Sequence, residues 1–457
     1  MSISFKSVNP WTGEIIAEFR PFSASKIAER LNQSALAFSS WKIRSINERL
    51  SILQELNKII LRERQNLALA MSEEMGKTLT EALAEIDKSR NLMDLLLEKS
   101  PEWIQEVRRD ENGRKARIRL EALGGILLVM PWNFPLWQVC RAALPALCAG
   151  NVVLLKHAPN VFGFASRLEQ LFLEAGFPDG VFLNLMVDVP ALEGIIAHKA
   201  VAAVSFTGSE NAGRSLAALA GTNLRKCVLE LGGSDPFLVL GDADLATAAK
   251  MAVTSRMLNN GQSCIAAKRF MVQEDGADEF VLMLVRYLSE YKPGNPSHPN
   301  TRLGPLARPD LVKNLMRQYE SSVKSGARER YVMQAAYPEK ASVFLPRIVS
   351  HVKPGMACFD EETFGPLLSV STFRTEKEAI SLANQSQYGL GATIYSKDEE
   401  KANFIAGQLD CGSVAINCLM RSDPALPFGG IKASGYGKEL GREGLEAFCN
   451  QKVILLN

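Results

Sequence analysis

The sequence predicts an α/β protein built from a parallel-sheet unit, a second α/β unit and a small β element. Apolar runs alternate with amphipathic segments through residues 124–232, and a second alternation follows through residues 233–428. Continuous apolar strands alternating with helices indicate a parallel sheet covered on both faces. The strand ends of the first unit carry "PWNF", "KHAPN", "FTGS" and "LELGG". Ligands of such sheets bind outside the carboxyl ends of the strands, so four polar or glycine-bearing loops on one rim predict a cofactor cleft.

Taken in order, the region from about Ser25 to Ser100 is rich in Leu, Ala, Glu and Lys. Ile27, Leu31 and Ala35, and later Leu53, Leu56 and Ile60, recur at helical spacing and predict amphipathic helices. Asn112-Gly113 is a two-residue hairpin signal, and Arg117, Ile118, Arg119 and Leu120 alternate as a half-exposed strand does. The basic residues here have acids mixed among them and no interleaved aromatics, so a solvated hairpin is expected rather than a nucleic-acid patch. "GGILLVM", "NVVLLK", "VFLNLMV", "VAAVSFTG" and "KCVLEL" read as strands, with helices between them. The second unit holds the helix "EFVLMLVRYLSEY" and the apolar runs "LLSVSTF" and "GATIYS". The chain closes on a helix and then an apolar strand, which needs a partner sheet in this chain or a neighbouring one.

Composition narrows the function classes. The chain has 457 residues, 47% hydrophobic and 22% charged, with a net charge of +2. That length points to two or three domains, and that charge gives no reason to expect nucleic acid or an anionic membrane as partner. Eight cysteines are scattered without a C-x-x-C pair and only four histidines are present, so no zinc site is expected. Unpaired cysteines fit a reducing, cytoplasmic setting. The N-terminus lacks the basic flank and apolar core of a secretory signal, and no apolar stretch is long enough to span a membrane.

"GSENAGRS" (208–215) follows a strand and opens a helix, one residue short of the phosphate loop G-x-x-x-x-G-K-[ST]. Arg214 stands where that loop needs a compact Lys, so the nucleotide-hydrolase reading fails. What survives is a helix N-terminus with free N–H groups suited to an anion such as a pyrophosphate.

"PWNFPL" (131–136), "FTGS" (206–209), "LELGG" (229–233), "NNGQSC" (259–264), "EETFGP" (361–366) and "PFGGIKASGYGKELG" (427–441) occur in this order. Together they resemble the NAD(P)-dependent aldehyde dehydrogenase superfamily, over nearly the whole chain from "NPWTGE" onward. The resemblance implies a Rossmann-type cofactor domain (1–110 and 124–232), a catalytic domain (233–428) and oligomerisation strands (111–123 and 440–457). It also implies a homodimer or homotetramer.

It further implies that Cys264 is the nucleophile. A thiol with an ordinary pKa of about 8.5 needs a dipole or a basic partner to act near neutrality. Its attack on an aldehyde makes an oxyanion, for which the side-chain amide of Asn133 and the backbone N–H of Cys264 are the implied donors. Glu230 is the implied base for thioester hydrolysis. It ends an apolar strand, where desolvation raises a carboxyl pKa toward a useful range. The resemblance places the cofactor, NAD or NADP, against Trp132, Lys156, Gly208, Ser209, Glu362 and Phe364. Members strict for NAD often carry Glu three residues after the Lys. Pro159 stands there, so no carboxylate repels a 2′-phosphate and NADP is not excluded.

Arg141, eight residues after Asn133, and Ser422, before "PFGG", resemble the succinate-semialdehyde dehydrogenase branch, where they hold a substrate carboxylate. Arg256 lies eight residues before Cys264, two further back than the second Arg of better-known members. Arg suits a carboxylate because it is bidentate and always charged. The competing reading pairs either Arg with an internal acid. A CoA-acylating enzyme and a non-catalytic member of the fold are the rival functions. Glu230 argues against the first, and Cys264, Asn133 and Glu230 together argue against the second. Ala266 stands where some relatives have a second, redox-active cysteine, so no disulfide with Cys264 is expected.

Overall fold

The computed structural model describes residues 4–111 and 114–456. Four helices, Ala24–Trp41, Ile46–Arg62, Arg64–Met75 and Leu79–Trp103, account for the helical periodicity of the N-terminal region. Local chemistry fixes their starts. The Ser45 hydroxyl accepts from Glu48 N–H while the Glu48 carboxylate accepts from Ser45 N–H, a reciprocal capping box. Ahead of the helices, Phe5–Val8 and Ile15–Phe19 pair antiparallel in a hairpin that the sequence reading did not anticipate.

The first large sheet has six strands, in the order 435–436, 226–230, 201–207, 125–129, 152–156, 182–184. All pair in parallel except Gly435–Tyr436, which returns antiparallel against Glu230 and Leu229. Strand Gly125–Val129 is buried along its whole length, as a strand covered on both faces must be. The chain steps outward from it in one direction to 152–156 and 182–184, then returns to its other side with 201–207. That reversal is a topological switch point, where doubly wound sheets form their ligand crevice. Val129 is level with Lys156 and Phe206, and Thr207 with Glu230, so the four strand ends open on one rim. "VFLNLMV" forms a strand only over Phe182–Asn184, because it is an edge strand with a single neighbour.

The second large sheet has seven strands, ordered 328–332, 347–350, 367–373, 269–273, 236–239, 391–395, 413–416. Only the edge strand Arg328–Val332 runs antiparallel. A three-stranded antiparallel sheet joins Val107–Glu111, Arg114–Ala122 and the terminal strand Cys449–Leu456. The terminal strand therefore finds its partner in its own chain. The hairpin begins at Val107, ahead of the expected boundary at 111, and its Asn112-Gly113 turn lies outside the described residues. No described helix is long and apolar enough to cross a membrane.

Candidate active site

The stretch before Cys264 answers a backbone problem. Asn259 and Asn260 have φ of 54° and 57°, and Gly261 has φ of 80°. Three successive left-handed residues need Asn or Gly, since only those visit this region at low cost. The amides then pin the loop. Asn259 Nδ2 donates to the carbonyl of Asn133 at 2.6 Å, Asn260 Nδ2 donates to Gly76 O at 2.9 Å, and Gln262 Oε1 accepts from Ala307 N–H at 2.9 Å. The amide-rich lead is a rigid mount for the thiol. Beyond it, Lys268 is fully buried, and its ammonium donates to the carbonyls of Ser263, Cys264 and Ala266 at 3.1, 2.7 and 3.1 Å. The N–H of Cys264 itself has no acceptor among the described residues.

Asn133 lies against the same loop. Its Nδ2 donates to Gln262 O at 3.0 Å, and its Oδ1 accepts from Gln138 Nε2 at 3.0 Å. Gln138 thereby sets the amide with its NH2 toward the cysteine loop, leaving one of its two N–H bonds and the Cys264 N–H for an oxyanion.

Cys264 lines a cavity of about 390 Å³, together with Phe134, Trp137, Arg141, Lys88, Ser422 and Phe428 among others. Burial pushes the Cys264 thiol up to about 11, against the pull of the Arg141 and Lys268 cations. Glu230 is not on this cavity wall. It is buried, neither carboxylate oxygen has a hydrogen-bond partner among the described residues, and its pKa is raised well above the ordinary range by burial and by Glu439. A Cβ on Gly429, next to the wall residue Phe428, would come within 2.6 Å of Glu230 Oε1.

The predicted substrate residues separate. Arg141 lines the cavity, but its Nε lies 2.5 Å from Glu439 Oε2, and its Nη2 donates to Thr207 Oγ1 at 3.1 Å. The pairing with an internal acid is thus realised, on the cavity wall. Ser422 is also on that wall. Arg256 is not, and its expected contact with substrate is corrected. Its guanidinium is fully buried and donates to the carbonyls of Ala267 (3.3 Å), Thr363 (2.7 Å) and Gly365. Two helical positions more than the usual six turn Arg256 away from the cavity and into the 363–365 loop, while Ser255 and Thr254 face the cavity.

Sequence reasoning missed one face of the helix Leu79–Trp103. Glu81, Glu85 and Lys88 follow i, i+4, i+7 spacing and each holds a different wall of the site. Glu81 accepts from Asn259 N–H at 2.7 Å. Glu85 accepts from Leu136 and Trp137 N–H, both at 2.9 Å, and pairs with buried Lys77. Lys88 donates to Ser422 Oγ at 2.7 Å. The available signal was Glu85, a carboxylate on the otherwise apolar stripe of Ala82, Ile86 and Met93.

The rim of the first sheet fits a dinucleotide. Ser209 caps the helix Glu210–Thr222 with no side-chain bond to its first-turn N–H groups, which leaves them for an anion. A Cβ on Gly208 would meet the Phe206 ring at 2.5 Å, and one on Gly232 would meet Glu362 Oε2 at 2.4 Å, so glycine keeps both approaches open. Lys156 is buried at its strand end without an ion pair among the described residues. Glu362 Oε1 accepts from Gly233 N–H at 3.1 Å and faces Lys268 at 3.6 Å. Phe364 meets Trp132 edge-on, with ring centroids 6.0 Å apart. Arg214 is exposed and bonded to Glu210 one turn earlier, not turned to the rim.

A mounted thiol, an oriented amide donor, a desolvated carboxylate and a dinucleotide-suited rim fit a nicotinamide-dependent oxidoreductase. A family model described as the aldehyde dehydrogenase family matches residues 2–454. A succinate-semialdehyde dehydrogenase [NADP(+)] of Deinococcus radiodurans is 42% identical, covering 98% of this chain and 94% of its own. The succinate semialdehyde dehydrogenase [NAD(P)+] Sad of Escherichia coli is 41% identical, covering 98% and 97%. Among solved structures, the succinic semialdehyde dehydrogenase of Streptococcus pyogenes in complex with NADP+ superposes with a TM-score of 0.96 at 34% identity, over 98% of this chain and 99% of that one. The chain belongs to the aldehyde dehydrogenase family.

Proposed function

We propose that the protein oxidises succinate semialdehyde to succinate, accepting NADP and also NAD. The observation that carries this reading is the cavity that joins the Cys264 thiol to the basic and hydroxyl groups of Arg141, Lys88 and Ser422. A substrate with an aldehyde at one end and a carboxylate at the other uses both features. The names of the relatives support the same substrate.

Cys264, once its thiol has given its proton to water, attacks the aldehyde carbon as the thiolate, and the carbonyl oxygen takes the negative charge between Asn133 Nδ2 and the Cys264 N–H. Lys156, Ser209 and Glu362 hold the nicotinamide dinucleotide, which when bound supplies the hydride acceptor. Pro159, which opens a short helical turn after Lys156, carries no charge to repel a 2′-phosphate. Loss of the former aldehyde hydrogen as hydride to that acceptor leaves the acyl group on Cys264 as a thioester. Glu230, desolvated and free of hydrogen bonds, takes a proton from the water that hydrolyses it. That base distinguishes this reading from transfer of the acyl group to CoA, which needs no activated water. The domain roles follow: the six-stranded sheet binds cofactor, the seven-stranded sheet carries the nucleophile, and the three-stranded sheet joins subunits in a cytoplasmic homo-oligomer.

Initial rates with succinate semialdehyde and with butanal, each with NAD and with NADP, test the proposal. The anionic aldehyde is expected to have the higher kcat/KM with either cofactor. Equal values for the two aldehydes would remove the substrate assignment.

A further inference from the structure

Resting on that reading, we infer that Lys88 is the residue that recognises the substrate's carboxylate, with Ser422 and Trp137 holding it in place. An anion entering a buried cavity needs a cation whose charge is not already spent. Arg141 is matched by Glu439 at 2.5 Å, and the two fully buried lysines nearby, Lys77 and Lys268, face Glu85 and Glu362. Arg256 is off the cavity. Arg421 is on its wall but exposed, where water screens it. Lys88 has no carboxylate within 4 Å among the described residues. Its ammonium donates to Ser422 Oγ at 2.7 Å and lies 4.2 Å from the centroid of the Trp137 ring. Trp137 in turn donates its indole N–H to Ser422 Oγ at 3.2 Å.

The arrangement orients a cation without neutralising it. A hydroxyl accepts one of its three N–H bonds and a π-face attracts the charge, but neither supplies a counter-ion. A carboxylate completes the set, and Ser422 can turn its own O–H toward the same anion. The charge state follows the environment. Burial and the neighbouring Arg141 bring Lys88 down to about 8, with Glu85, Cys264 and Asp423 opposing. Arg141 faces it from the helix Trp137–Cys148, Glu85 from its own helix, Cys264 from the nucleophile loop, and Asp423 with Arg421 from the loop before Phe428. Lys88 is therefore charged below about pH 8 and loses its charge as pH rises through that value.

The test compares kcat/KM for succinate semialdehyde and for butanal in wild type, Lys88→Met and Lys88→Arg, across pH. The ratio of the two substrates cancels the titration of Cys264 and general damage to the fold. In wild type the ratio is expected to favour succinate semialdehyde below pH 8 and to fall above it. Lys88→Met should lower the ratio at neutral pH by about 30-fold or more, as loss of one partner of a buried charge pair does. Lys88→Arg should restore it and abolish its fall above pH 8, since a guanidinium stays charged. A wild-type preference that survives Lys88→Met overturns the role of Lys88 and leaves the substrate assignment standing. So does an alkaline fall that persists in Lys88→Arg, which decides the matter even if the Met variant does not fold. A wild type with no preference overturns both.

Discussion

Cys264 sits where its thiol is shielded by the protein and flanked by two cations, and shielding wins: its pKa lies near 11. The free enzyme at neutral pH therefore holds a thiol rather than a thiolate. Because the thiolate is the reactive species, alkylation of Cys264 by iodoacetamide should accelerate about tenfold per unit between about pH 7 and 10. A rate that levels off near pH 7 would mean the cations prevail. Arg141 carries a second prediction at this scale. The sequence alone assigns it to substrate, so Arg141→Ala would be selective for the charged aldehyde. With Glu439 left buried and unpaired, the cost is about 3–5 kcal/mol of stability. Thermal unfolding should show a lowered Tm, and kcat/KM should fall for butanal as well as for succinate semialdehyde. An unchanged Tm would contradict the ion pair. The sequence singles out Cys264, Asn133 and Glu230 because each stands in a short local motif. It does not single out Lys88, because its partner Ser422 lies 334 positions away and only the fold joins them. From sequence alone Arg256 is assigned to substrate by its resemblance to the second Arg of relatives, although it stands two residues further back from the thiol. Its turn of the helix faces the other way.

The nucleophile loop and the helix Leu79–Trp103 are the elements that hold these residues. The loop's "NNG" was visible as an unusual lead but not as a left-handed run, since Asn also fits ordinary turns. Gly261 is its tightest point. A Cβ there would lie 2.3 Å from the carbonyl carbon of Gly365, at a φ that disfavours any side chain. Gly261→Ala is expected to destabilise by more than the ~1–3 kcal/mol of backbone strain, measured by chemical denaturation, and to cut turnover as the thiol shifts. Wild-type stability in that variant would show that the loop is not held against the 363–365 segment. Five strands of the first sheet and the strands 367–373 and 391–395 of the second were readable in the sequence from their continuous apolar runs, whereas the short hairpin Phe5–Val8 with Ile15–Phe19 was not. Its burial is partial, so its sequence lacks a sustained apolar period.

At the scale of the whole molecule, the parallel-sheet architecture was legible because alternation of strand and helix leaves few other arrangements. Strand order was not, as it depends on the reversal at the switch point. The three-stranded sheet ends in an edge with exposed Val453, Leu455 and Leu456. An exposed apolar edge strand is a template for another chain. Static light scattering at micromolar concentration should therefore give a mass of two or four chains, and a monomer mass would contradict the oligomer.

The central claim is that Cys264 carries an acyl thioester that Glu230 helps to hydrolyse. Mixing Glu230→Gln with succinate semialdehyde and NADP, followed by mass spectrometry of the digested protein, tests it most directly. The predicted result is a burst of about one reduced cofactor per active site, together with a succinyl group on the peptide containing Cys264. Steady turnover at the wild-type rate with no adduct, or an adduct on another of the eight cysteines, would contradict it.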